Sequence, residues 1–440
     1  AGVHLSNRFM RTLSHQRWRK HPEQRDWGTV AGSAGTFLKS TIQKITDWME
    51  TEGPVFEGFN PNVTIWRLGG RRLAAATEAD GRVCEFDSSS LDTLGSVATV
   101  TASGDGSMII TTPAHYIEHT GDSIHVAVEM TQHSGFPPRF EFNYTIYRQS
   151  GATFTRIHTH PVANFDWTKR DRVPTEERFS YQHVVAETKD LVILVLSSAR
   201  ASYTRLLARD FSKGFFGLFD DTDLPLQFLI FDKIRDESGE LTSLHQRGVA
   251  AAPGPMHLWH LANVMQRGKT LIIDATASAG LGFENKSRLV RFAIDLDSLQ
   301  VSQHDVSPEG YEFPNINPLF FGNEARYVWL SGVEDDTNTQ LLRVDLAGSD
   351  HTRVNLGGGV TEAAVVPAGW FDETKRDDEG AAVVLCVIVN AEQETSDVVV
   401  IDSQSCEEIA RVRAPTVCNF GLHTHFFPGA PGTDTFPAKL

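Results

Sequence analysis

The strongest constraint on the fold is a segment plan that recurs along the chain. Residues 83–97 (VCEFDSSSLDTLGSV), 288–301 (RLVRFAIDLDSLQV), 340–354 (QLLRVDLAGSDHTRV) and 398–412 (VVVIDSQSCEEIARV) share it. Each reads as an apolar strand, an Asp, a polar turn and a second apolar strand. That is the pattern of the outer hairpin of a propeller blade. Further β-rich runs lie between these copies, among them Ile124 to Met130, Phe140 to Tyr147, Leu191 to Leu196, Leu226 to Phe231 and Ala382 to Val389. Turn signals such as Gly69-Gly70, Asp80-Gly81, Ser238-Gly239 and Gly357-Gly358-Gly359 separate them. Strands at this spacing with few helical patterns predict an all-β protein, and the repeat favours a propeller over a sandwich. A closed β architecture can absorb all 440 residues as one domain, 1–440.

One stretch departs from the plan. Residues 199–218 (ARASYTRLLARDFSKGFFGL) set Leu206, Leu207, Phe211, Phe215 and Phe216 among Arg and Lys. The pattern reads either as an amphipathic helix packed on the propeller or as a lipophilic mouth that touches a membrane or admits an apolar substrate. The net charge of −16 argues against nucleic-acid partners, which need clustered Lys and Arg. It also argues against purely electrostatic docking to anionic lipid. The four cysteines, Cys84, Cys386, Cys406 and Cys418, form no CxxC pair, so a reducing compartment is expected. No apolar run is long enough for a transmembrane helix. The N-terminus has neither an initiator Met nor an apolar signal core, which points to a processed or truncated chain.

Seventeen histidines in an acidic β protein prompt a search for a metal site. The pairs His158-Thr159-His160 and His423-Thr424-His425 share strand faces, but such pairs arise often by chance. Four contexts carry more. His115 lies in TTPAHYIEHTGDSIHVAVEM, His183 in YQHVVAETKDLVILVLSS with Thr188 five residues on, and His423 in CNFGLHTHFFPG. His260 lies in PMHLWHLANVMQRGKTLIIDA, with Asn263 three residues and Asp274 fourteen residues later.

In these contexts the chain resembles the carotenoid cleavage oxygenase family, whose pattern places one His on each of four inner strands. The Thr after His183 and the Asn and Asp after His260 stand at the family's offsets. Gly421 and His423 also fit, whereas Leu422 and Thr424 depart from the family pattern. At His115, Tyr116 stands where the family has Pro. Three motifs place the family's acidic residues: Thr77-Glu78 ahead of a hairpin, Tyr311-Glu312-Phe313-Pro314-Asn315-Ile316-Asn317, and Thr361-Glu362-Ala363. The resemblance runs from about Leu5 in LSNRFMRT to Phe427. The family's "HWFDGDGM"-like segment would precede this chain, so part of an N-terminal blade is expected to be missing.

The resemblance implies a seven-bladed propeller with one Fe2+ per chain on its axis and a dome of helices and loops on one face. It implies four iron ligands, His115, His183, His260 and His423, with Glu78, Glu312 and Glu362 as acceptors for their outward N–H groups. Such acceptors fix the tautomer and raise ligand basicity. Phe313, Trp259, Phe420 and Phe427 flank the motifs as candidate substrate contacts. His257, His119, His158, His160 and His425 read as non-ligating, and Gln266 stands where the family often has Glu. The implied activity is O2-dependent scission of a conjugated double bond in a carotenoid, apocarotenoid or stilbene, giving two carbonyl products. An iron-dependent isomerase or isomerohydrolase on the same scaffold and a catalytically silent binding propeller are the alternatives. The implied setting is cytoplasmic or plastid-like and reducing, with possible peripheral membrane contact.

Overall fold

The computed structural model describes residues 64–427, apart from 70, 78–79, 98–109, 112–122, 135, 137–138, 167–172, 209–215, 283–284, 349, 416 and 419–422. The recurring hairpin has a shared local cause. Asp87, Asp295, Asp345 and Asp402 each end the third strand of a sheet. Each turns its carboxylate back onto the turn. Asp87 accepts from the N–H groups of Ser89 (2.9 Å) and Ser90 (2.8 Å). Asp295 accepts from Asp297 (3.1 Å) and Ser298 (2.7 Å), and Asp402 from Gln404 (3.0 Å) and Ser405 (2.7 Å). Asp345 accepts from Ala347 (3.0 Å). The turn then needs a left-handed residue, and Leu91 (φ 59°), Leu299 (φ 59°) and Cys406 (φ 62°) supply it.

Backbone N–H groups donated by Ser90, Ser298 and Ser405 hold the carboxyls of Asp87, Asp295 and Asp402 below their ordinary range. For Asp345 the Arg326 guanidinium contributes most. A carboxylate depressed on folding stabilises the protein above its unfolded pKa of about 4 and loses that contribution as pH falls through the folded value. Acid unfolding below about pH 4 is therefore expected to start at the outer hairpins. Hydrogen exchange across an acid titration would show their amides deprotecting before those of the inner strands, and simultaneous loss would contradict this.

Six blades follow in chain order, each an antiparallel sheet that starts at its inner strand. The first is Thr64–Gly69, Arg72–Thr77, Asp80–Asp87 and Thr93–Val97. The second is Ile110–Thr111, Ser123–His133, Arg139–Ser150 and Thr153–Asp166. The third is Val185–Glu187, Leu191–Leu196, Gln227–Arg235 and Leu241–Ala251. The fourth is His257–Arg267, Thr270–Ser278, Arg288–Asp295 and Val301–Asp305. The fifth is Tyr311–Asn315, Tyr327–Gly332, Gln340–Asp345 and Asp350–Asn355. The sixth sets Gly359–Val360 and Ala364–Pro367 against Ala382–Asn390, followed by Thr395–Asp402 and Glu408–Arg413.

The family resemblance implies seven blades, and six are seen among the described residues. Beyond these six sheets, the only other described sheet is a two-stranded ribbon, Arg200–Ala201 with Phe219–Asp220, so no strands remain there for a seventh. Residues 1–63, where the N-terminal part of the resemblance falls, lie outside the described residues.

Stacked blades explain why the middle strands read as continuous apolar runs. In Leu191–Leu196, Val192 and Leu194 join one core cluster while Leu191, Ile193 and Val195 join another. Both faces are buried, so the polar/apolar alternation of a half-exposed strand disappears. Of the 199–218 segment, Tyr203–Ala208 forms a short helix; Tyr203, Leu206 and Leu218 join the buried cluster that holds Phe142 and Phe179, and the Tyr203 ring packs on both. Phe211 and Phe215 lie outside the described residues. No helix of the described residues is long and apolar enough to cross a membrane.

Candidate metal centre

Three buried histidines, His183, His260 and His423, meet near one point. His260 stands near the start of its strand, His183 two residues ahead of Val185–Glu187, and His423 beyond the last strand of the sixth blade. His423 adopts a left-handed backbone (φ 55°), an unusual conformation for a non-glycine residue. The three side chains are buried, and their ligand atoms lie within 4.8 Å of one another. His183 Nε2 is 2.8 Å from His260 Nε2, which is 3.3 Å from His423 Nε2.

The tautomer of His260 follows from its other nitrogen. Its Nδ1 is 2.6 Å from Glu312 Oε2, so Nδ1 carries the proton and donates it to the carboxylate. Nε2 is then a bare lone pair facing two further imidazole nitrogens. Glu312 also accepts from Thr276 Oγ1 and from the N–H of Phe313, which has φ 56°. Burial works to raise the Glu312 carboxyl, but the His260 imidazole and these hydrogen bonds outweigh it and hold the carboxyl below the ordinary range. Glu362 sits between the two inner pieces of the sixth blade and accepts the Thr424 N–H at 2.9 Å. Burial pushes its carboxyl up to about 8, against the backbone N–H groups of Thr424 and His423.

This donor set fits a divalent transition metal. Imidazole nitrogens bind such an ion at about 2.0–2.1 Å, so two at right angles would stand about 3 Å apart, close to the spacings seen. A cation at the point of convergence would also satisfy lone pairs that otherwise face each other.

The motif residues around the histidines are structural. Thr188 Oγ1 accepts the N–H groups of Asp190 and Leu191 and closes the turn after His183's strand. Asn263 and Asp274 are directly paired across neighbouring strands. Asn263 donates to the Asn323 carbonyl (2.7 Å) and accepts the Gly322 N–H (2.9 Å), which ties the fourth blade to the fifth. Asp274, fully buried, holds Arg291 through two bonds of 2.6 and 2.8 Å.

Of the expected substrate contacts, Phe313 lies 5.1 Å from the His260 ring and Trp259 5.5 Å from the His183 ring, between centroids. Phe427 lies beside Arg67 and Ile65. His115, Glu78 and Phe420 lie outside the described residues. His158 and His160 pack on Phe231, and the His425 ring lies 6.1 Å from that of Phe427; none of them joins the cluster of three.

Two participants were not legible from sequence. Thr276 hydrogen-bonds both Glu312 and the His260 backbone N–H (3.3 Å), but a Thr in a buried strand gives no signal. Tyr181 places its hydroxyl 3.3 Å from His183 Nδ1, and its position two residues before a ligand candidate was the available clue. His257 is fully buried between Tyr181 (5.6 Å) and Trp259 (4.4 Å), and neither ring nitrogen has a hydrogen-bond partner among the described residues. An orphaned buried N–H costs about 1–3 kcal/mol. His257→Leu is therefore expected to stabilise the protein by about 1 kcal/mol or more, read as a denaturant midpoint at unchanged slope. A lower midpoint would contradict the reading of His257 as an unsatisfied core residue.

A propeller-like stack of antiparallel sheets with three buried imidazoles gathered at one point defines the class of protein. The family profile described as retinal pigment epithelial membrane protein matches residues 1–428. The chain belongs to that family, the carotenoid cleavage oxygenases. It is similar to carotenoid cleavage dioxygenase 8 homolog B, chloroplastic, of Oryza sativa subsp. japonica, at 29% identity over 178 residues, 38% of this chain and 30% of the rice protein. It is also similar to carotenoid cleavage dioxygenase 8, chloroplastic, of Arabidopsis thaliana, at 28% identity over 32% of this chain and 25% of that protein. The aligned region is thus under a third of either plant protein. Among solved structures, the cobalt-substituted Synechocystis apocarotenoid oxygenase matches with a TM-score of 0.63 at 18% identity, covering 94% of this chain and 82% of that one. At that identity the likeness concerns the fold.

Proposed function

We propose that the protein is a non-haem Fe2+, O2-dependent oxygenase that cleaves a conjugated double bond of a carotenoid or apocarotenoid into two carbonyl products. A stilbene is the alternative substrate of the same reaction. The observation that carries this reading is the convergence of His183, His260 and His423 with Glu312 fixing the tautomer of His260. His115 would complete the ligand set, Glu78 would act on a further ligand as Glu312 does on His260, and Glu362 would order the turn that presents His423. Iron, when bound, supplies the binding and activation of O2. The protein's own contribution is to hold neutral imidazoles in a fixed tautomer, to keep water away through burial, and to seat an apolar substrate by area burial against aromatic walls. Trp259 and Phe313 border that seat, and Phe420 and Phe427 would extend it. Cys84, Cys386 and Cys406 are free thiols among the described residues, which suits a reducing compartment such as a plastid, where both plant relatives are placed by name.

The test is elemental analysis of the purified protein followed by incubation with carotenoids, apocarotenoids and stilbenes under labelled O2. About one iron per chain and label in both carbonyl products are expected. Absence of iron after anaerobic loading, or isomerisation without label, would reject the reading. Glu312→Gln keeps the shape but loses the carboxylate that holds the His260 proton. It is expected to lower activity or iron affinity by about 10–100-fold, and unchanged turnover would refute its placement.

A further inference from the structure

Arg200 is the only arginine of the described residues that is buried as a whole, with 3% of its surface exposed. A guanidinium carries five N–H donors, no acceptor and a charge that it keeps at physiological pH. Among the described residues the one acceptor that this guanidinium reaches is Gln227 Oε1, at 3.4 Å, and its Nε is buried without a partner. The other arginines with a buried, unpartnered Nε each sit in an ion pair. Arg200 has no carboxylate partner among the described residues.

The backbone holds this charge in place. Arg200–Ala201 pairs with Phe219–Asp220 in the two-stranded ribbon, and Ser180 bridges to Arg200. The Tyr181 N–H donates to the Ala199 carbonyl at 3.3 Å and the Ala201 N–H to the Phe179 carbonyl at 2.9 Å. Arg200 is thus fixed beside the segment that runs on to His183.

The groups around it do not supply the missing negative charge. Asp220 stands in register with Arg200, but its carboxylate is bound by Arg205 and lies 3.7 Å from Arg178. Tyr144 and Tyr203 lie within reach of the Arg200 charge, which works against burial at both hydroxyls. Burial prevails: it pushes Tyr144 up to about 12 and raises Tyr203 as well, so both are neutral at physiological pH. Their oxygens accept the N–H groups of Ser180 (2.6 Å) and Phe179 (3.2 Å). A charge buried without a partner is among the costliest arrangements a fold can hold.

We propose that Arg200 is the centre of a binding site for a small monovalent inorganic anion such as chloride. A monatomic anion needs about the room of one water molecule. An organic acid would have to part packed rings, since Tyr203 is itself stacked on Phe142 at 4.6 Å and 5°. The anion accepts from the guanidinium, balances its charge and steadies the strand pairing ahead of His183. Neither iron nor substrate enters the proposal, so it stands apart from the oxygenase reading.

The test is thermal unfolding of the full chain in sodium chloride, bromide or gluconate at one ionic strength. Chloride and bromide are expected to raise the Tm in a saturable way, as binding to the folded state requires, and bulky gluconate is not. Arg200→Met should lose the chloride response and melt no lower than the native protein does in gluconate, because the lone charge is gone. Crystals of the native protein grown in bromide should show an anomalous peak beside the Arg200 guanidinium. That measurement decides the matter even where the variant fails to fold. An equal or unsaturable rise in all three salts, a chloride response that survives in Arg200→Met, or a guanidinium with only water beside it in bromide would overturn the proposal.

Discussion

His260→Ala should reduce iron from about one per chain to near zero and abolish oxygenase activity. Among the described residues His260 is the hub of the cluster: its Nε2 faces both other imidazoles and its Nδ1 donates to Glu312. Removing it takes away a ligand and also leaves the buried Glu312 without the Nδ1–H donor that helps hold its carboxyl ionised. Part of the damage is therefore electrostatic, and His260→Gln should retain more thermal stability than the Ala variant while still losing iron. The blades themselves are packed by other residues, so the far-UV spectrum should be unchanged. Iron retained at full occupancy in either variant, measured by elemental analysis, would remove His260 from the ligand set.

Asp274→Ala should destabilise the fold by about 3–5 kcal/mol, the usual cost of leaving one partner of a buried ion pair alone. Asp274 is fully buried and holds Arg291 through two bonds, directly across from Asn263. Its loss strands a guanidinium that is itself mostly covered, in the blade that carries His260. A double variant, Asp274→Leu with Arg291→Met, removes both charges and should recover most of the loss. Chemical denaturation with both variants decides it. A single variant that costs less than about 1 kcal/mol would mean that water reaches Arg291 and that the pair contributes only as a surface bridge does.

These two residues show what could be read from the chain and what could not. The Asp-turn hairpins were legible because their cause is local: a carboxylate bonds N–H groups two and three residues away, so the pattern is written within five residues. The offsets from His260 to Asn263 and Asp274 were legible for a related reason, since a tight hairpin fixes which residues of adjacent strands face each other. The order of His183, His260 and His423 and the Glu312 motif could be read as a resemblance. Their meeting could not be read from spacing, because the contacts join residues 77, 163 and 52 positions apart. Only the stacking of blades brings such residues together, and it depends on apolar faces that look alike in every strand. The number of blades among the described residues, the Thr276 bridge and the His257 ring, whose nitrogens find no hydrogen-bond partner among those residues, belong to that same level. Local hydrogen bonding wrote the hairpins into the sequence, and long-range packing alone decided where their inner ends converge.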